Sequence, residues 1–291
     1  MIDSRRCKVV VTFHLSTPKL TIAVLSYKNP EMLRLCLRAV LQHTKNLAPE
    51  IFSVDSATEE DTEMLLREEF PHIHFFPHRK NVGFRALVNL TLAKATGEHI
   101  LLLNSDIILT PGSVETLQAF LLAHPLVGMV GPGLLNFNGA LQPSCFRFYK
   151  LHTILYRRTF LKNLSFAKKH LAWFEMRDYD HDRPRGVDWL MGSAFMVTRS
   201  AISIVGPMDK RFFMYMEDVD WCRRFWENDL EVVYLPQTAM YHYYGKGSAR
   251  GGFWGSLLFN RLTWIHIFSA TKYFLKYVGR PLPKHGEKYY D

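Results

Sequence analysis

The stretch His99-Ile100-Leu101-Leu102-Leu103-Asn104-Ser105-Asp106 decides the fold. Its apolar run, Ile100 to Leu103, reads as a strand buried on both faces within a parallel sheet. The run stops abruptly at Asn-Ser-Asp. In open α/β sheets, ligands bind beyond the carboxyl ends of the strands, so Asp106 is delivered to the place where such folds do chemistry. A hard carboxylate there, beside an amide and a hydroxyl, suits a divalent cation bridging phosphates. Taken alone, Asp106 reads equally well as a turn or helix-cap residue.

Upstream, the pattern alternates. Leu20 to Tyr27 reads as a first buried strand, and Pro30 opens a helix that runs to about Gln42. Ile51 to Val54 is a second strand, ending in Asp55-Ser56-Ala57-Thr58. Glu60 to Phe70 is helical, and Ile73 to Phe76 is a third strand. Asn81-Val82-Gly83-Phe84 leads into a helix that stops near Gly97. This alternation predicts a doubly wound parallel sheet. Further strands are expected at Val127 to Val130, Trp189 to Thr198 and Glu231 to Leu235. A helix is expected over Gly252 to Tyr277, with Leu258, Leu262, Ile265 and Phe268 on one face.

Residues 143–186 differ in character. They carry ten Lys or Arg against four Asp or Glu, with Phe146, Phe148, Tyr149, Tyr156, Phe160, Phe166, Trp173 and Phe174 interleaved. The segment reads as a helical excursion, either a solvated basic face over a local core or an insertion that meets an acceptor or a membrane surface.

The hydrophobic content of 48% excludes a disordered chain. Cys7, Cys36, Cys145 and Cys222 are scattered without a Cys-x-x-Cys pair, which argues against a zinc site or a disulfide framework and fits a reducing compartment. Neither a secretory signal nor a spanning segment is legible. The formal charge of +9 predicts anionic partners.

Two more groupings carry chemistry. In Phe212-Phe213-Met214-Tyr215-Met216-Glu217-Asp218-Val219-Asp220, three carboxylates crowd within an aromatic frame. Mutual repulsion and desolvation raise their pKa values, as a general base requires. An acidic helix N-terminus offset by Arg223 and Arg224 is the structural alternative. The other grouping is His242-Tyr243-Tyr244-Gly245-Lys246-Gly247-Ser248, an imidazole before a Gly-rich turn, able to ligate a metal or face phosphate oxygens.

The ordered set of these motifs resembles the inverting family-two glycosyltransferases of the GT-A fold, in the rhamnosyltransferase-like branch of cell-surface polysaccharide assembly. The resemblance runs from about Leu20 to Gly279. It rests on Ser26-Tyr27, Val54-Asp55, Asn81-x-Gly83-Phe84 with Asn89, and Asn104-Ser105-Asp106. It continues through Asp188-Trp189-Leu190-x-Gly192-Ser193-Ala194, Phe212 to Asp220, and His242-x-x-Gly245 with Ser248. It implies a Rossmann-like, mostly parallel sheet flanked by helices: an N-terminal segment 1–19, a catalytic domain 20–250 and a helical C-terminal extension 251–291.

The resemblance also implies roles. Asp55 would hold the nucleobase, with Ser26, Asn81, Gly83, Phe84 and Ser105 around the nucleotide. Asp106 and His242 would hold Mg²⁺ or Mn²⁺ on the donor diphosphate. Asp218 would be the base that deprotonates the acceptor, and Glu217 would orient it. The partners implied are a nucleotide-sugar donor such as dTDP-rhamnose and a glycan or polyprenyl-linked acceptor. The location implied is cytoplasmic, on the anionic inner face of the plasma membrane. No nucleic acid is expected.

Two positions depart from the family pattern. Asn104 replaces the first acid of Asp-x-Asp, leaving fewer protein charges on a bound metal. Ser56 follows Asp55 where the pattern reads Asp-Asn, which leaves the base identity open. A Rossmann dehydrogenase is a weak reading, because no Gly-x-Gly-x-x-Gly follows the first strand. The competing classes are an inactive nucleotide-sugar-binding homologue and a basic nucleic-acid-binding protein.

Overall fold

Strands β1 (Leu20–Tyr27), β2 (Glu50–Ser56), β3 (His74–His78) and β4 (His99–Asn104) lie parallel in the order β3-β2-β1-β4. Helices α1 (Pro30–Thr44), α2 (Glu60–Glu69) and α3 (Phe84–Lys94) connect them. The computed structural model describes residues 19–243, 261–283 and 288–290. Asn29 starts α1 by accepting the Met32 N–H at 3.3 Å, and Pro30 supplies a fixed φ where no N–H is needed. Leu33, Cys36, Leu37 and Val40 then face the sheet.

The continuous apolar runs have a direct cause. Ile22 and Val24 of β1, with Leu101 and Leu103 of β4, pack on one side of the sheet. Ala23 and Leu25, with Ile100 and Leu102, pack on the other. Both faces are covered, so neither strand shows polar alternation.

After β4 the chain forms β5 (Ile107–Ile108), α4 (Ser113–Ala123), β6 (Val127–Leu135), β7 (Leu141–Gln142) and β8 (Cys145–Phe146). It continues through α5 (Leu151–Arg158), α6 (Ser165–Phe174), β9 (Arg185–Gly186), β10 (Trp189–Leu190), β11 (Ala194–Thr198) and α7 (Arg199–Val205). Then come α8 (Glu217–Glu227), β12 (Glu231–His242) and α9 (Arg261–Lys276). The full order across the sheet is β3-β2-β1-β4-β11-β6-β12-β5.

Along this order the sheet is mostly parallel, as expected, with antiparallel exceptions at β11 and β5. β11 runs antiparallel to both β4 and β6. An apolar run buried on two faces does not encode strand direction. Two strands also outrun their expected ends. β6 continues through Gly131-Pro132-Gly133, and β12 passes Pro236 by shifting register between Leu235 and Ala239. The Trp189 to Thr198 segment divides at Met191–Ser193 into β10 and β11.

The 143–186 excursion is only partly helical, holding α5, a 3₁₀ turn at Phe160–Asn163 and α6 between short strands. Phe146, Phe148, Tyr149 and Phe174 are buried in the core, whereas Phe160 and Phe166 are exposed. Of the expected C-terminal helix, Arg261–Lys276 is seen. Gly252 to Asn260, the Tyr244 to Ser248 turn and Cys7 lie outside the described residues. Among the described residues, no helix is long and apolar enough to cross a membrane.

Candidate active site

The carboxyl ends of β1, β2 and β4 are aligned by register: Ser26 lies beside Asp55, and Leu25 beside Asn104. They open into a cavity of about 810 Å³. Ser26, Gly83, Phe84, Asn104, Ser105 and Asp106 line it from one group of elements, and Glu217, Asp218 and His266 from another.

Asp55 is buried, and the Ser26 hydroxyl donates to its Oδ1. Its Oδ2 is buried without a hydrogen-bond partner among the described residues. Burial raises its pKa, against the bonds from Ser26 and Thr58. Beside it, the Ser56 hydroxyl donates to Asn81 Oδ1 at 3.3 Å and accepts the Val82 N–H at 3.0 Å. Asn81 Oδ1 also accepts the Gly83 N–H at 3.0 Å. Ser56 thus holds the Asn81 loop by its hydroxyl.

Gly83 has φ +77°, and a Cβ there would stand 2.1 Å from the Phe213 carbonyl oxygen. This close approach ties the loop to the acidic segment 130 residues away in sequence (213 minus 83). Gly83→Ala is therefore expected to lower Tm by roughly 5 °C or more, since overpacking and positive-φ strain each cost on the order of 1–3 kcal/mol. Calorimetry of the variant checks this, and an unchanged Tm would refute the contact.

The sequence gives no hint of how Asp106 meets His242. Ile107 of β5 pairs with His242 at the end of β12, and the Tyr243 N–H donates to the Asp106 carbonyl at 2.9 Å. This brings Asp106 Oδ1 to 3.5 Å from His242 Nε2. Gln142 settles the imidazole's state. Its Nε2 donates to the His242 carbonyl at 2.8 Å and to Asn136 Oδ1 at 2.9 Å, so its Oε1 faces His242 Nδ1 at 2.8 Å as an acceptor.

Nδ1 therefore carries the proton, and Nε2 is left as the acceptor nitrogen. Burial keeps the ring neutral by lowering its pKa to about 4. Burial likewise pushes Asp106 up to about 6, and its Oδ1 is buried without a hydrogen-bond partner. A neutral imidazole nitrogen and a carboxylate oxygen thus face each other, a donor set that suits a divalent cation. Among the described residues, no three His, Cys, Asp or Glu side chains converge on one point. A cation here would need oxygen ligands from a bound molecule. Gln142 sits on a two-residue strand that no sequence pattern announces.

The three acids of the 217–220 segment divide into two roles. Asp220 is fully buried but fully compensated. It meets Lys276 Nζ at 2.5 Å, Arg224 Nε at 3.1 Å and the Tyr277 hydroxyl at 2.9 Å. Arg223 instead pairs with Glu227 at 2.9 Å. Among the described residues no ion pair compensates Glu217 or Asp218 in this way, and the Arg85 charge only partly offsets the rise in the Glu217 pKa. They open α8 directly after Tyr215 and Met216, two residues in left-handed conformation at φ +67° and +66°. Such strain is held only where the surroundings over-determine it.

Asp218 accepts the Val219 N–H at 2.9 Å and the Gly192 N–H at 3.2 Å. Glu217 Oε2 is buried without a hydrogen-bond partner. Burial raises both acids, and the Asp218 charge raises Glu217 further. Two carboxyl groups buried side by side disfavour a second negative charge, so the pair resists full ionisation, and the Val219 and Gly192 N–H donors favour the charged form of Asp218.

Helix α9 anchors this segment. Ser269 Oγ donates to the Met214 carbonyl at 2.8 Å, and Lys276 reaches Asp209 at 2.7 Å as well as Asp220. His266, stacked on Tyr215 at 4.8 Å between ring centroids, enters the cavity wall. Sequence reading treated this helix as an appendage and missed its place in the site.

A model of the family described as "Glycosyl transferase family 2" matches residues 21–181, more than half of the chain. The chain is a family 2 glycosyltransferase. The glycosyltransferase is similar to the N-acetylglucosaminyl-diphospho-decaprenol L-rhamnosyltransferase of Mycobacterium tuberculosis, in strains CDC 1551 / Oshkosh and ATCC 25618 / H37Rv. It is 27% identical to each over 216 residues, covering 69% of this chain and 68% of each relative. Its fold is that of GalNAc-T7, a GT-A glycosyltransferase crystallised with UDP, GalNAc and Mn²⁺. That match has a TM-score of 0.60 at 16% identity, and covers 78% of this chain and 43% of that one.

Proposed function

We propose that this glycosyltransferase moves a sugar, with inversion, from a nucleoside-diphosphate sugar to a lipid-linked glycan in cell-surface polysaccharide synthesis. The rhamnosyltransferase relatives favour dTDP-rhamnose as donor and a prenyl-diphosphate-linked N-acetylglucosamine as acceptor. The observation that carries the reading is the Glu217–Asp218 pair. Two buried carboxyl groups, each raised in pKa by burial and one held by the Val219 and Gly192 N–H donors, stand side by side in the cavity that Asp106 also lines.

In this reading Asp218 removes the acceptor hydroxyl proton as the oxygen attacks the anomeric carbon. Glu217, neutral, donates a hydrogen bond that orients the acceptor. Ser26, Asn81, Gly83, Phe84 and Ser105 line the cavity where the nucleotide would lie, and Asp55, buried behind Ser26 and not itself part of the lining, would accept from the nucleobase through Oδ2. Asp106 and His242 are the residues that would hold Mg²⁺ or Mn²⁺, which when bound stabilises charge on the leaving diphosphate. A single displacement inverts the anomeric centre and needs only one base. A panel of nucleotide sugars, screened for thermal stabilisation and acceptor-dependent nucleotide release, tests the function. Response to one donor family supports it, and stabilisation without any turnover would favour an inactive binding homologue.

The reading extends to location at the anionic inner face of the plasma membrane. Phe160, Leu164 and Phe166 are exposed among Lys162, Lys168 and Lys169, and Trp264 and Phe268 are exposed on α9. Apolar side chains with interleaved lysines suit a headgroup boundary, where each basic side chain contributes about 1 kcal/mol. Co-sedimentation is expected with anionic vesicles, weakening as salt rises. Equal indifference to anionic and neutral vesicles would refute the location.

A further inference from the structure

A second, apolar groove lies outside the site just described. It has a volume of about 760 Å³ and runs between α5 and α9. Leu151, Leu155, Ile267, Phe274, Leu275 and Val278 line it. Leu151 is 73% exposed, Leu155 51%, Leu275 69% and Val278 73%. Large aliphatic side chains left this open on two adjacent helices mark a binding surface.

The groove shares both of its helices with the catalytic cavity. On α5, Arg157 lines the cavity, and Ile154, one turn away, lines the groove. On α9, His266 lines the cavity, and Ala270, one turn away, lines the groove. One turn is about 5.4 Å, so the two spaces adjoin along both helices. Arg157 is the only Lys or Arg among the described residues that line the cavity. It donates to the Tyr149 hydroxyl, and its guanidinium lies 5.9 Å and 5.4 Å from the Tyr149 and Phe174 ring centroids. Tyr149 and the rings thus steady an exposed cation at the junction of a polar cavity and an apolar groove.

A molecule matching this sequence of surfaces has a polar head, an anionic link and a branched hydrocarbon tail. We propose that the α5–α9 groove binds the first isoprene units of a prenyl-diphosphate-linked acceptor, with Arg157 meeting its diphosphate. The inference rests on the lipid-linked acceptor reading above and adds to it the residues that read the lipid. It also gives α5 and α9 a common task. They shape the acceptor side of the cavity and continue outward as the lipid path, so acceptor choice depends on the tail as well as on the sugar.

The test uses the full chain with dTDP and UDP present to fill the donor side. Binding of geranylgeranyl diphosphate, below its micellar concentration, and of inorganic diphosphate is measured by calorimetry. Geranylgeranyl diphosphate is expected to bind at least tenfold more tightly. Leu155→Gln combined with Leu275→Gln, both at exposed positions, should erase that advantage while leaving inorganic diphosphate affinity and Tm unchanged. Arg157→Ala should weaken both ligands.

Equal affinity of the two ligands for the native protein, or an undiminished advantage in the double variant, would overturn the proposal. So would a double variant that loses only vesicle binding, since the groove would then be a bilayer contact. Failure of sugar transfer to every prenyl-linked acceptor, with the tail advantage intact, would sink the acceptor reading and leave the groove standing. Transfer to a long-chain acceptor that the double variant performs with unchanged KM would do the reverse.

Discussion

Asp218→Asn is expected to lower kcat on the order of 100-fold or more, with donor affinity retained. The variant keeps one of the two backbone N–H bonds that orient the side chain, sets its NH2 against the other donor, and cannot take the acceptor proton. Linkage sets the pH dependence of the native carboxylate. Burial lifts the Asp218 pKa above its ordinary value, so the folded protein holds this proton more tightly than the unfolded chain does. The associated stability is present below the ordinary carboxylate range and is lost as pH rises through the raised pKa. At neutral pH the ionised, buried carboxylate therefore costs the fold stability. Wild-type activity should fall on the acid side at a pH above the ordinary carboxylate value, as Asp218 becomes protonated. A well-folded variant with near-normal turnover would remove Asp218 from the mechanism.

Chelation is the second large effect. EDTA should suppress transfer, and Mg²⁺ or Mn²⁺ should restore it. Asp106→Ala should abolish that rescue at ordinary metal concentrations. Gln142→Leu provides a sharper test, because Gln142 contacts the imidazole and not the site between His242 and Asp106. Without its Oε1 the Nδ1 proton is no longer fixed, and the metal concentration for half-maximal activity should rise about 10- to 100-fold. Full activity in chelator, with Asp106→Ala tolerated, would identify a metal-independent enzyme and give the Asn104 departure a simple meaning.

The sheet's first half was legible because local chemistry and global position agree there. Each apolar run ends in a polar residue at a strand's carboxyl end, so Ser26, Asp55 and Asn104 could be assigned to one edge from sequence alone. What comes after β4 was less legible for physical reasons. β11 carries no sign of its direction, and β5 is too short for a pattern. β12 hides its length behind Pro236, whose cost is absorbed by a bulge. The Asp106–His242 approach depends on that hidden pairing, so motif order pointed to both residues but not to their contact. Among the acids, composition signalled strain at 217–220 but did not distinguish Asp220, which Lys276 of a distant helix neutralises, from Asp218, which only backbone donors meet. His266 and Gln142 had no sequence signal, because each acts through a neighbour distant along the chain, whereas Arg157 was signalled only by the basic, aromatic character of its segment.

The most direct measurement is the anomeric configuration of the product. With the nucleotide sugar that the donor panel selects, NMR of the transferred residue should show the configuration opposite to that of the donor. Glu217→Gln should give the same configuration at a reduced rate, and Asp218→Asn a rate lower on the order of 100-fold or more. Retention of the donor configuration by the native enzyme would require two displacements and a nucleophile, and would contradict the single-base mechanism built on Asp218.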